Sequence, residues 1–292
     1  MQNAERTRPV AVLFDSSLGE RIDQVLALAM VLAAESRREI RLGSLSVSRS
    51  SLGLAAFAEL MVRFYRGERP GAPPGRTSVP VGMFDGEPPA TVEPMIASVV
   101  GRTGPGGTPL YPRSIERLNQ TADPVAVVRN ALSAQQDQTA VVVLAGPPVN
   151  LLGLLALPEG PGLVARKVRT LVATDLAPGT SGLVGRWPGP VVLAGDDLDL
   201  RYPAASIEED FAWTPDHPVV DAWRAAGPMP YDAPAAAMAA ALHAVAPDEG
   251  YFGLAGVAGG YRRLTAGAEQ RDRAVRAMRE LVSTEPRAGG PP

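Results

Sequence analysis

The sequence predicts an α/β fold, an open and mostly parallel sheet with helices on both faces, and three observations carry that expectation. Apolar strand-like runs alternate with helical patterns along most of the chain, as parallel βαβ units require. Several runs are apolar throughout, the pattern of strands covered on both faces. At 292 residues the chain is long enough to bury a substantial core.

The elements follow in order. Val10–Phe14 reads as the first strand, Asp15–Gly19 as a turn and Glu20–Ala34 as a helix. Ile40–Val47 and Leu52–Tyr65 repeat the strand and helix, and Val79–Met83 reads as the next strand. Gly67–Ser78 is too rich in proline and glycine for regular structure and reads as a loop. The stretch from Asp85 to Ala122, which contains the glycine-rich Thr103–Thr108, reads as irregular, and long loops of this kind are functional lids or disordered. Asp123-Pro124 starts a helix over Pro124–Ala134, with the acid as N-cap and proline in the first turn. Ala140–Leu144, Val168–Ala173 and Val191–Ala194 complete the strands. Asn150–Leu157, Val219–Ala225, Pro234–Val245 and Glu269–Leu281 complete the helices. Residues 1–283 read as one domain and 284–292 as a tail without apolar pattern.

Composition narrows the function classes. A net charge of −3 gives no global basic field for nucleic acid. With no cysteine, disulfides, thiolate chemistry and cysteine-based zinc sites are excluded. The first eight residues lack a signal-peptide core and no apolar run spans a bilayer, so no membrane partner is expected and a cytoplasmic location is the default. The glycine-rich TGPGGT does not end in Lys-Ser or Lys-Thr, which disfavours a phosphate loop, and no Gly-x-Ser-x-Gly elbow is present.

The chemistry concentrates in residues 12–30, VLFDSSLGERIDQVLALAM. A turn at the carboxyl end of a strand faces the crevice where open α/β sheets bind ligands. This segment resembles the opening motif of the inosine-uridine preferring nucleoside hydrolases, Asp-x-Asp-x-Gly followed closely by an Asp-Asp pair and an Ala-Leu-Ala helix. Asp15, Gly19, Asp23 and Ala27-Leu28 match. Ser17 stands where the family has its second aspartate, and Gln24 where it has the last one.

The resemblance continues along the chain. LSVSRSSLG is similar to a segment carrying a ribose-contacting asparagine, for which Ser50 and Ser51 are the nearest counterparts. VVVLAGPPVNLLGLLAL is similar to the strand ending in Gly-Pro-x-Thr-Asn-Leu, with Asn150 and Leu151 retained and Val149 in place of a threonine whose backbone carbonyl binds calcium. MPYDAPAAAMAAALHAV resembles the segment that carries a late metal-binding aspartate, whose place is taken by Ala237, and Ala236 occupies the place of a leaving-group histidine. Asp197 is the nearest equivalent of a ribose-binding glutamate.

The resemblance implies a Rossmann-like nucleoside hydrolase-like core, N-glycosidic bond hydrolysis of ribonucleosides, a nucleoside or ribose-like small molecule as partner, calcium as cofactor and self-association into homo-oligomers. It implies Asp15 and Asp23 as the catalytic residues, and Ser17, Gln24, Ser51, Asn150 and Asp197 as ligand-side residues. Calcium takes about six to eight oxygen ligands and gains most of its affinity from carboxylates. Ser17, Gln24 and Ala237 remove three of them, so no metal-ligand set and no bound cofactor is expected. The family's second aspartate is taken to deprotonate the attacking water. A serine hydroxyl does not hold that proton at neutral pH, and a general base is worth a factor of about 100 to 10,000.

Plainer readings stand beside these. Asp15 either serves the ligand or accepts backbone N–H groups at the helix start. Asp23 and Gln24 without the family context read as an exposed helix face, Asn150 as a cap or turn residue, and Asp196, Asp197 and Asp199 as solvated surface. His217 and His243 read as structural. Three functions remain open: a degenerate family member that binds a nucleoside-like ligand or supports an assembly, a divergent active hydrolase using Asp15 or Asp23 as base with no calcium or a weakly held one, and an interaction protein that docks through its alanine-rich C-terminal helices.

Overall fold

The computed structural model describes residues 9–68, 79–87, 94–175, 178–257 and 259–286. Most of the loop expected at Gly67–Ser78 and of the tail after Thr284 lies outside the described residues. The chain opens with β1 (Val10–Ser16), α1 (Ile22–Ser36), β2 (Ile40–Val47), α2 (Leu52–Tyr65) and β3 (Val81–Met83). There follow α3 (Pro94–Val100), α4 (Pro124–Ser133), β4 (Ala140–Ala145), α5 (Val149–Ala156), α6 (Gly160–Lys167), β5 (Val168–Thr174), α7 (Thr180–Val184) and β6 (Val191–Ala194). The last part holds β7 (Arg201–Tyr202), α8 (Ile207–Asp210), α9 (Pro218–Ala226), β8 (Ala233–Pro234), α10 (Ala236–Val245), β9 (Gly253–Gly256), β10 (Arg262–Thr265) and α11 (Ala268–Val282).

The main sheet runs β3-β2-β1-β4-β5-β6-β10-β9. Its neighbours are parallel except the antiparallel β10–β9 pair at the edge. Alternation along the strands divides the core in two. Val12, Phe14, Val141 and Val143 pack on one face with α1, α2 and α10, while Leu13, Val142 and Leu144 pack on the other with α4, α5 and α6. Both faces are therefore dry, which accounts for the uninterrupted apolar runs.

After β1 the chain builds outward through β2 and β3, then returns to add β4 on the other side of β1. This reversal of strand order opens a crevice beyond the carboxyl ends of β1 and β4, the position favoured for ligands in such sheets. Helix α1 is buried from Ile22 to Glu35 on all sides, as its nearly continuous apolar sequence demands. Small residues on α1 and α10 let these two helices pack directly against each other in the interior.

Several expectations are corrected. The alanine-rich helix is not a docking surface, because Ala236 through Ala244 are all buried. The stretch from Asp85 to Ala122 contains α3, whose Met95, Ile96 and Val99 enter the core. Helix α6, which begins Gly-Pro-Gly, and the β9–β10 hairpin were not legible from pattern. The hairpin lacks alternation because it is an exposed edge with charged Arg262 and Arg263. The cap at Asp123 is as expected, its carboxylate accepting the Ala126 N–H at 2.6 Å, worth about 1 kcal/mol.

Candidate functional site

Three segments converge at the switch in strand order. Asp15 lies near the end of β1, in register with Ser46 on β2, and Asn150 lies in the first turn of α5 just beyond β4. The Ser46 hydroxyl donates to Asp15 Oδ2 at 2.5 Å, and the Asn150 amide donates to the same oxygen at 2.8 Å. Asp15 is only 2 % exposed. Burial pushes its carboxyl up to about 7, against the opposing pull of the Ser46 and Asn150 hydrogen bonds.

The turn after β1 brings Ser17 and Gln24 together. Gln24 Nε2 donates to Ser17 Oγ at 2.9 Å, and Ser17 Oγ donates to Glu20 at 2.9 Å. Glu20 in turn pairs with Arg49. Leu18, between them, adopts a left-handed φ of 53°, a conformation that costs a non-glycine residue about 1 kcal/mol or more. Gly146, at the end of β4, is required by close approach: a Cβ there would lie 2.5 Å from the Ser17 backbone nitrogen.

Asp23 is 1 % exposed. Its Oδ1 accepts from Arg21 Nε at 3.1 Å and its Oδ2 accepts from the Ala237 backbone N–H at 3.0 Å. Burial raises the Asp23 pKa, and the charge of Arg21 opposes that rise. The remaining Arg21 nitrogens donate to both oxygens of Asp196 at 2.9 and 2.8 Å. This contact holds the Asp196 carboxyl below its ordinary range.

A cavity of about 360 Å³ opens among Glu20, Arg21, Asp23, Gln24, Thr174 and Ala237. A second, of about 340 Å³, shares Glu20, Arg21 and Asp23 with the first and reaches Met95, Tyr231 and Pro234. Four buried oxygens around the turn and strand ends have no hydrogen-bond partner among the described residues: Asp15 Oδ1, Gln24 Oε1, Ser48 Oγ and Asn150 Oδ1. Of these four residues Gln24 lines the 360 Å³ cavity, so its Oε1 is the unused acceptor that a ligand rich in hydroxyl donors would satisfy there.

The structure brings Asp15, Ser17, Asp23, Gln24 and Asn150 to one place. It does not bring Ser51 or Asp197 there. Ser51 precedes α2 and its side chain makes no hydrogen bond to these residues, and Asp197 is exposed and accepts from Arg263 at 2.8 Å. The plainer readings change as well. Asp15 accepts side-chain donors and not helix N–H groups, Asp23 and Gln24 are buried, and Asn150 sits inside its helix, where Pro148 takes the cap position. Asp196 is tied to Arg21 instead of being freely solvated. Sequence reasoning missed Arg21, Glu20, Ser46 and Gly146. Only the position of Arg21, two residues before Asp23, offered a signal.

The calcium implied by the resemblance is a poor fit to these residues. Ser17 and Gln24 are bonded to each other, Ala237 has no side-chain oxygen, and a guanidinium lies on Asp23. Among the described residues no group of three or more His, Cys, Asp or Glu side chains could hold a metal ion. A hard divalent ion needs several anionic oxygens without a competing cation.

No protein-family model matches the chain, and no curated protein matches it. Solved structures do resemble it. The type III effector protein XopQ, in complex with adenosine diphosphate ribose, is 13% identical with a TM-score of 0.64 over 96% of this chain and 94% of its own. The effector protein XOO4466 is also 13% identical, with a TM-score of 0.64 over 94% of this chain and 92% of its own. An inosine-uridine preferring nucleoside hydrolase from Bacillus anthracis is 12% identical, with a TM-score of 0.58 over 93% of this chain and 99% of its own. The fold is therefore that of nucleoside hydrolase-like proteins, effectors included.

Proposed function

We propose that this protein binds a ribose-containing small molecule in the crevice at the carboxyl ends of β1 and β4, and that it hydrolyses N-glycosidic bonds inefficiently or not at all. The observation that carries this reading is the unpartnered buried Gln24 Oε1 in the wall of a cavity of about 360 Å³; the unpartnered oxygens of Asp15, Ser48 and Asn150 do not line that cavity. Acceptors withdrawn from water without partners are costly, and a polyol offers the matching donors. The size suits a nucleoside-scale ligand. The complex of one structural neighbour with adenosine diphosphate ribose supports the same ligand class. Asp23 and Gln24 line the cavity and are the assigned ribose contacts, while Asp15 and Asn150 form the layer beneath.

Impaired hydrolysis follows from the chemistry at Ser17. Its hydroxyl is engaged by Gln24 and Glu20 and does not serve as a proton acceptor for water at neutral pH. A second reading keeps activity, and Asp15 Oδ1, which has no hydrogen-bond partner among the described residues, favours it. Burial pushes this carboxyl up to about 7, the direction a general base working near neutrality needs.

Calorimetric titration with adenosine, adenosine diphosphate ribose and 2′,3′-dideoxyadenosine tests the binding. The two ribose ligands are expected to bind and the dideoxy analogue to lose affinity by about tenfold or more, since two hydroxyl contacts vanish. Equal binding of the dideoxy compound, or no binding of any of them, overturns the reading. Release of free ribose from inosine or uridine that disappears in Asp15→Asn supports the second reading instead.

A further inference from the structure

We infer that the Arg21 guanidinium is the resident cation of this cleft, so that the site works without a divalent ion. Asp23 is a buried carboxylate beside the cavity, and a buried carboxylate needs positive charge or donors close by. Arg21 supplies both, through Nε at 3.1 Å and Nη2 at 3.4 Å. The same guanidinium grips both oxygens of Asp196 in the segment after β6. One side chain thus bridges an inner and an outer carboxylate from opposite sides of the cleft mouth, the task that a multivalent cation performs where carboxylates converge.

The surroundings agree with this assignment. Ser17 and Gln24, the neutral side chains in the turn, close on each other. The Ala237 backbone N–H points its positive end at Asp23. A divalent ion entering here would meet a guanidinium, a backbone N–H and neutral oxygens, and its repulsion from Arg21 would act across a partly buried space where screening is weak. Arg21 also borders both cavities. Its charge is therefore part of the wall of each.

The test uses calcium alone and so fails or succeeds apart from the ligand reading. Calcium chloride is titrated calorimetrically into the full chain as wild type, Arg21→Gln and Arg21→Lys, with thermal melts of each in parallel. The wild type and Arg21→Lys are expected to show no saturable binding below about 1 mM. Arg21→Gln, which leaves Asp23 and Asp196 without a cation, is expected to gain saturable binding with a midpoint about tenfold below that limit. Should Arg21→Gln be only marginally folded, its melting midpoint is expected to rise with calcium while that of the wild type stays constant. Micromolar calcium binding by the wild type overturns the inference. So does a folded Arg21→Gln with no gain, or an equal gain in Arg21→Lys, because either would show that the charge of Arg21 does not fill the cation's role.

Discussion

Gln24 and Ser17 are hydrogen-bonded to each other after the first strand, the amide of one donating to the hydroxyl of the other at 2.9 Å. Seven residues apart in the chain, they form a buried pair at the positions where the nucleoside hydrolase resemblance expects two carboxylates. Two carboxylates that close would repel each other unless a cation lay between them. The neutral pair holds together without one.

This pairing predicts non-additive mutational effects. Ser17→Ala leaves the Gln24 amide without its acceptor and is expected to cost about 1–3 kcal/mol in chemical denaturation. Gln24→Met combined with Ser17→Ala should cost less than the sum of the two single changes, since both polar partners are then gone. Additive losses would show that the hydrogen bond contributes nothing.

Gly146→Ala is expected to destabilise the protein by about 1–3 kcal/mol, because the added carbon would overlap the Ser17 backbone nitrogen at 2.5 Å and the Ser48 hydroxyl at 2.9 Å. Backbone does not move aside as a flexible side chain does. The same change should weaken adenosine diphosphate ribose binding in a titration, because the turn carrying Ser17 must shift.

Asp15 gives a signed pH dependence. Its folded pKa, raised by burial to about 7 from an ordinary value of 3.8, means that the folded state holds the proton more tightly than the unfolded chain. Stability from this group is therefore fullest below about pH 4, declines as pH rises through 4 to 7 and is level above. Asp15→Asn should remove the decline, a difference on the order of a few kcal/mol at pH 8 that closes toward pH 4. Parallel stability curves for the two proteins would contradict it.

His217 acts in the opposite sense. It is buried among Phe64, Phe211 and Trp213, its Nδ1 accepts the Val219 N–H, and burial lowers its pKa well below 6.5. The unfolded chain then binds a proton that the folded state refuses, so stability falls as pH drops below about 6.5. His217→Phe should flatten that acid limb in melts between pH 5 and pH 7, whereas an unchanged slope would assign the limb to other groups.

The fold was legible because its strands are buried on both faces. The runs at Ile40–Val47 and Val191–Ala194 and the helix Leu52–Tyr65 have the bounds their patterns predict. Legibility fails where burial is one-sided or absent, as in the β9–β10 hairpin, or where Gly and Pro lead into a helix, as in α6. The candidate site was legible in part: Asp15, Ser17, Asp23, Gln24 and Asn150 converge, whereas the Ser51 side chain makes no hydrogen bond to them and Asp197 pairs with Arg263.

By itself the sequence determined the alternation of elements, the sheet covered on two sides and the absence of carboxylates at Ser17, Gln24 and Ala237. These are properties of residue type and spacing along the chain. Only the tertiary structure decided that Arg21 clasps Asp23 and Asp196, that Ser46 and Asn150 share one oxygen of Asp15, and that the alanine-rich helix is interior. Those contacts join residues up to 214 positions apart, as between Asp23 and Ala237. Their partners are chosen by strand order and burial, which no local pattern encodes.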